Sequence, residues 1–181
     1  VALATWTVYL VPKNTNPFKY HFEIGQPWAY GLITAEFDFA IYKTDAQLQA
    51  EYDQVLKDYT PFYKLDKSID THELYVVALA DMERIQQMNC SKISVVDNLV
   101  ATAVPVEQLY TPKRAFEQTH INIQPNLMYD SIKSANMRQQ LLSSVSLTQG
   151  MVQAGEKIIA TGEIVSEQSY QILESLRRVI D

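Results

Sequence analysis

One cysteine, three histidines and five glycines are all that 181 residues hold of the types that most often build redox, metal and phosphate sites. A single Cys90 excludes an intrachain disulfide, and with it a stapled miniprotein. Its ordinary role is that of a small buried hydrophobe. His21, His72 and His120 lie far apart, the pair His72-Glu73 has no second histidine four residues after the first, and no His-Asp dipeptide occurs. That leaves no recognisable metal-ligand spacing, so no metal is expected. No G-x-S-x-G elbow is present, and Cys90 follows Asn89 without an activating motif, so no catalytic residue and no cofactor are assigned. Basic side chains are also in the minority, 15 against 21 acidic, for a net charge of −6. The densest basic clusters, Lys113-Arg114 and Arg177-Arg178, are pairs rather than a stripe. Nucleic acid is therefore not an expected partner.

Long apolar runs are missing too. No stretch of about 18 apolar residues exists, which excludes a complete transmembrane helix. The start, "VALATWTVYLVPK", is apolar as far as Val11 and then turns polar, without an initiator methionine or a signal-peptide layout. It reads as cut from a longer chain. Two readings stand for residues 1–11: an edge strand, or the trailing end of a membrane helix with Trp6 and Tyr9 at the interface.

What remains is an ordinary core-forming composition, 47% hydrophobic and 20% charged, in a length that fits one domain over residues 1–181. "PFKYHFEIG" (17–25) alternates, with Phe18, Tyr20 and Phe22 on one face, and predicts a half-buried strand. "EFDFAIY" (36–42) alternates likewise. "GQPWAYG" between them reads as a loop. Thr44 with Gln47 forms a capping box for a helix with Leu48, Tyr52, Val55 and Tyr59 on one stripe, stopped by Pro61. A shorter helix is predicted over 78–88, then a hairpin around Asp97-Asn98. "TPKRAFEQTHINIQPN" reads as irregular, and "YDSIKSANMRQQLLSSV" as a helix with Ile132, Ala135, Leu142 and Val145 on one side. The last third predicts a glycine-rich hairpin, then a helix N-capped by Ser166 with Val165 and Tyr170 as a hydrophobic staple. The fold class is α+β: small antiparallel or mixed sheets, three or four packed helices, and a C-terminal β-hairpin followed by a helix.

Three of the five glycines, Gly150, Gly155 and Gly162, fall within thirteen residues, and two of them precede Glu156 and Glu163. A phosphate cradle fails on context, because no Lys-Ser or Lys-Thr follows. Two carboxylates flanking a hairpin raise an acid–base reading, against the commoner one of solvated turn glutamates. Trp28 and Tyr30 add a ligand reading, since rigid rings in a loop often make contacts. Trp28, Tyr30, Glu156 and Glu163 are the candidate ligand-binding residues, for a ligand that remains unknown.

Several blocks together resemble one family: "FKYHFEIGQPWAYGLITAEFDFAIYKT" (18–44), "VVDNLVATAVPVEQLYTPKRAFE" (95–117), "PNLMYD" (125–130) and "SLTQGMVQAGEKIIATGEIVSEQSYQILESLRR" (146–178). The chain resembles the extracellular domain of the seven-transmembrane HD-domain phosphodiesterases. The resemblance implies a single extracytoplasmic domain on the outer face of a bacterial cytoplasmic membrane, lying between the first and second membrane helices. A separate cytosolic HD domain would hydrolyse cyclic di-AMP. It implies a non-catalytic sensory module whose partners are the membrane helices of its own chain and an extracytoplasmic ligand or protein. The alternative is a structural or dimerisation domain, a homodimer with no small ligand.

Overall fold

A computed structural model describes residues 18–181. The apolar start, read above as an edge strand or a membrane-helix end, lies outside the described residues. In chain order the elements are β1 (Ile33–Thr34), β2 (Phe39–Tyr42), α1 (Asp45–Leu56), β3 (Phe62–Leu65), β4 (Tyr75–Val76), α2 (Leu79–Gln87), β5 (Lys92–Asp97), β6 (Val100–Pro105), β7 (Leu109–Tyr110), α3 (Pro112–Thr119), β8 (Leu127–Tyr129), α4 (Ser131–Ser143), β9 (Thr148–Val152), β10 (Lys157–Ile159) and α5 (Glu167–Ile180). The class is α+β, with five α-helices among the described residues against the three or four expected. The chain forms two compact units. Among the described residues, one holds those up to Leu48 together with Ser146–Asp181, and the other is Gln49–Val145.

In the first unit β2 pairs antiparallel with β9, β1 with β10, and Pro27 bridges Ile164. The register barely drifts along these pieces: Phe39 faces Val152, Thr34 faces Lys157, and Pro27 faces Ile164. They are one antiparallel ribbon interrupted twice. This corrects the expected C-terminal hairpin, since β9 and β10 do not pair with each other. The glycine turn between them is a corner in a strand whose partner lies more than a hundred residues away. Glycine signals a turn equally in a hairpin and in a corner.

Helix α5 closes this unit. Ser166 Oγ accepts from Ser169 N–H at 3.1 Å, and Ser169 Oγ accepts from Ser166 N–H at 2.8 Å, a reciprocal capping box. Its stripe of Tyr170, Leu173, Leu176 and Ile180 covers Trp28, Ala35, Phe39, Val152, Ile159 and Val165. Fully burying each such aliphatic or aromatic side chain stabilises by about 1.5–3 kcal/mol. Phe18–Glu23 is not a strand. Phe18 and Phe22 pack on the core four residues apart, while Tyr20 stays 37% exposed and leans on other rings.

The second unit is built on a four-stranded sheet ordered β6-β5-β3-β8, in which β3 and β5 run parallel and the outer pairs antiparallel. A short parallel pair, β4 with β7, lies apart from it. Tyr63, Val77, Ile85, Ile93, Val95, Val104, Leu109 and Leu127 form its core. The β5–β6 hairpin turns at Asn98-Leu99, with Asn98 at φ +53, as the first central residue of a primed turn requires. The stretch read as irregular contains α3. Thr111 Oγ1 accepts from Arg114 N–H, and Pro112 at the first helical position needs no partner for its nitrogen. In α4 the buried residue is Ser134, not Ile132, which is 74% exposed. Ser134 Oγ accepts the Phe62 N–H at 2.8 Å, so a hydrogen bond sets which face turns inward.

Candidate functional site

The two Gly-Glu pairs have the same construction. In Gln153–Glu156 the Glu156 N–H donates to the Gln153 carbonyl at 3.0 Å, and in Ala160–Glu163 the Glu163 N–H donates to the Ala160 carbonyl at 3.1 Å. Gly155 and Gly162 occupy the third position at φ +86 and +82, the requirement of a type II turn. Each glutamate then reaches back to its own turn. Glu156 Oε2 accepts from Gln153 N–H at 3.1 Å, and Glu163 Oε2 from Ala160 N–H at 3.2 Å.

Each turn also grips the opposite strand. Gly155 N–H donates to the Ala35 carbonyl while Ala35 N–H donates to the Glu156 carbonyl, at 2.7 and 2.9 Å. Gly162 and Glu163 make the same two bonds to Trp28, both 2.8 Å. Seven residues separate the turns, and seven separate the residues they hold. The repeat is architectural.

Chemistry follows from this placement. Glu163 is ion-paired with Lys157. That hydrogen bond and the Ala160 N–H hold its carboxyl below the usual glutamate range. A general acid working at neutral pH needs the opposite shift. Trp28 is 1% exposed, and its Nε1–H donates to the Gly31 carbonyl at 2.8 Å, so it serves as a core anchor. Tyr30 is half-buried, with ring centroids 5.0 Å from both Trp28 and Tyr20 in edge-to-face contacts. Its hydroxyl accepts from His21 N–H at 3.2 Å. Trp28, Tyr30 and Glu163 thus meet at one turn, whereas Glu156 belongs to the other. Among the described residues no group of His, Cys, Asp and Glu gathers to hold a metal, and no helix is long and apolar enough to cross a membrane.

A polar groove of this unit lies elsewhere, along the polar edge of α5. With a volume of about 460 Å³, it runs between that edge and Tyr42–Asp45, within the usual size range of small-molecule sites. Ser175 Oγ accepts from Tyr42 N–H and donates to the Gln171 carbonyl, at 2.8 and 2.7 Å. The Gln171 amide donates to the Tyr42 carbonyl and to Gln47 Oε1, at 2.8 and 2.9 Å. Arg177 pairs with Glu174 at 2.6 Å, while the Arg178 guanidinium stacks 4.6 Å from the Tyr42 ring centroid. These amide and hydroxyl donors are spent inside the protein, and the charged lining of the groove is balanced, Lys43, Arg177 and Arg178 against Asp45, Glu174 and Asp181, an arrangement that suits a polar ligand. Sequence reading registered Arg177-Arg178 only as a basic pair. The other wall comes from residues some 130 positions earlier, a proximity that no local pattern encodes.

The two ends of the described chain meet beside it, with Phe18 N–H donating to Asp181 Oδ1 at 3.2 Å. A family model described as 7TM-HD extracellular matches residues 32–179. That span covers the glycine turns, the groove lining except Asp181, and all of the second unit. No curated protein matches the chain, and no solved structure does.

Proposed function

Because this chain belongs to the 7TM-HD extracellular domain family, we propose that it is the extracytoplasmic sensory module of a membrane-bound HD-type phosphodiesterase. The family match over residues 32–179 carries this reading, and it implies an extracytoplasmic place in a membrane protein. In this proposal the module binds a polar ligand in the α5 groove. A ligand that prefers one of two domain conformations shifts their populations by its differential affinity. Two features support a route outward. Helix α5 carries groove residues on one edge and core residues on the other. It also runs to Asp181, which accepts a hydrogen bond from Phe18 at the start of the described residues. A change in α5 would therefore reach both flanking segments together, and through them the membrane helices and a cytosolic domain that hydrolyses cyclic di-AMP.

Thermal-shift screening of the chain against cell-wall fragments and polar metabolites tests the ligand half of this reading. The expected result is a saturable rise in melting temperature that disappears in Arg178→Ala. A hit unaffected by that substitution, or a silent screen, would count against the groove. The second reading, a dimerisation domain with no small ligand, draws on the bare sheet edge treated next.

A further inference from the structure

Strand β6 ends the four-stranded sheet, paired on one side with β5 only. Natural edge strands are usually blunted by charge, proline or a bulge. From Val100 to Val104 β6 has none of these, and its first four residues are exposed. The direction of its free backbone groups follows from the ladder. Val106 N–H donates to the Ser91 carbonyl at 2.9 Å, so the hydrogen-bonded pairs fall at 93 with 104, 95 with 102 and 97 with 100. The N–H and C=O groups of Ala101 and Ala103 therefore point away from the sheet.

The sequence of that edge, Val100-Ala101-Thr102-Ala103-Val104, reads the same in both directions. An antiparallel partner centred on Thr102 would present the same residues in the same order. Ala101 would then lie opposite the partner's Ala103, and Ala103 opposite the partner's Ala101. Each pair exchanges two N–H to C=O bonds, using the groups that the ladder leaves free. Val100, 66% exposed, would face the partner's Val104, a residue that is itself only 2% exposed in the core. The apolar face of one sheet would continue into the other.

We propose that β6 is an isologous edge on which a second copy of this chain pairs antiparallel about Thr102. The resulting sheet has eight strands and a two-fold axis through the centre of the palindrome. The palindrome makes every cross-strand pair one of equal size, Val with Val, Ala with Ala and Thr with Thr, so a second copy fits this edge without a mismatch in side-chain height. The edge is short: Pro105 has no N–H to donate, and beyond Val100 the chain turns at Asn98-Leu99. Contact area is accordingly small, and pairing is strongest where copies are concentrated, as on a membrane surface. This proposal does not depend on the sensory reading.

Cysteine cross-linking provides the test, in a Cys90→Ala background. At the two-fold axis Thr102 forms a non-hydrogen-bonded pair with its copy, at a Cα separation of about 4.5 Å that a disulfide can span. Thr102→Cys should oxidise to a covalent dimer about tenfold faster than Met128→Cys, an exposed residue on the opposite sheet edge. Adding Ala103→Pro removes only an outward N–H, so the fold should keep its melting temperature while the rate falls to the control level. Ala101→Lys, which leaves the backbone unaltered, should lower the rate as well. Equal rates for the Thr102 and Met128 cysteines would leave the edge to some other extended peptide and overturn the proposal. So would a fast rate indifferent to both edge substitutions.

Discussion

Replacing Gly155 or Gly162 by alanine isolates the backbone demand of the two Gly-Glu turns. A Cβ built at either position meets no atom within 4 Å, so no clash contributes. What remains is the φ of +86 or +82, which an L-residue adopts at a cost of about 1–2 kcal/mol. Gly31 is the matched control. It is equally open, and its φ lies outside the left-handed region. Alanine there should be neutral or stabilise by about 0.4–1 kcal/mol through the unfolded chain. Trp28 reports the outcome, being 1% exposed and bonded through its own backbone to the Gly162–Glu163 turn. Urea unfolding followed by its fluorescence, in a Trp6→Phe background, should show each substitution lowering the midpoint by about 0.5–1 M at a slope of about 2 kcal/mol/M. The double variant should lose close to the sum, since the turns hold different residues of the partner strand. If Gly155→Ala and Gly162→Ala unfold with Gly31→Ala, the turns do not pin the ribbon.

Two further expectations concern single groups. The Tyr63 hydroxyl is buried with no partner in hydrogen-bond geometry among the described residues, and burial first, then Asp81, push it up to about 12 against the opposing pull of nearby Arg84. Its folded value lies above the unfolded one near 10, so the unfolded chain ionises first and stability falls as pH rises beyond about 10. Tyr63→Phe should leave neutral-pH stability unchanged or raise it by up to about 1 kcal/mol, and should remove that alkaline loss. A loss above about 1.5 kcal/mol at neutral pH would mean that the hydroxyl is satisfied. For Glu163 the shift is downward, so the stabilisation it brings is present above the ordinary glutamate value and disappears as pH falls through the lowered one. An NMR titration of its side-chain carbonyl should give a midpoint below that of an exposed glutamate. A raised midpoint would revive the acid–base reading.

Much of the fold could be read locally because capping is local chemistry. Thr44 with Gln47 and Ser166 with its helix both stand where the pattern places them. The failures are just as specific. The alternation of Phe18, Tyr20 and Phe22 resembles a strand, yet Tyr20 and Phe22 pack on Trp28 and Phe18 on those two rings, and no ladder satisfies their backbone. Helix α3 was signalled by Thr111-Pro112 but obscured by the polar run behind it. The orientation of α4 depends on Ser134 accepting from Phe62, a bond that hydrophobic periodicity does not register. Pairing β9 with β2 and β10 with β1 is long-range, so two glycine corners looked like one hairpin. The groove was hidden for the same reason, since its walls meet only once the ribbon has formed. The Gly-Glu repeat was visible from the start, and its architectural meaning became clear only with the residues it holds, Ala35 and Trp28.

Joining the two ends of the first unit is the most direct test of sensory coupling. Phe18 and Asp181 touch, so Phe18→Cys with Asp181→Cys, in a Cys90→Ala background, provides a removable lock in the full-length membrane protein. If the module passes its state outward through these ends, oxidation should change the rate of the cyclic di-AMP hydrolysis proposed for the full-length protein, and reductant should restore it. An identical rate with the ends locked and released would contradict that coupling.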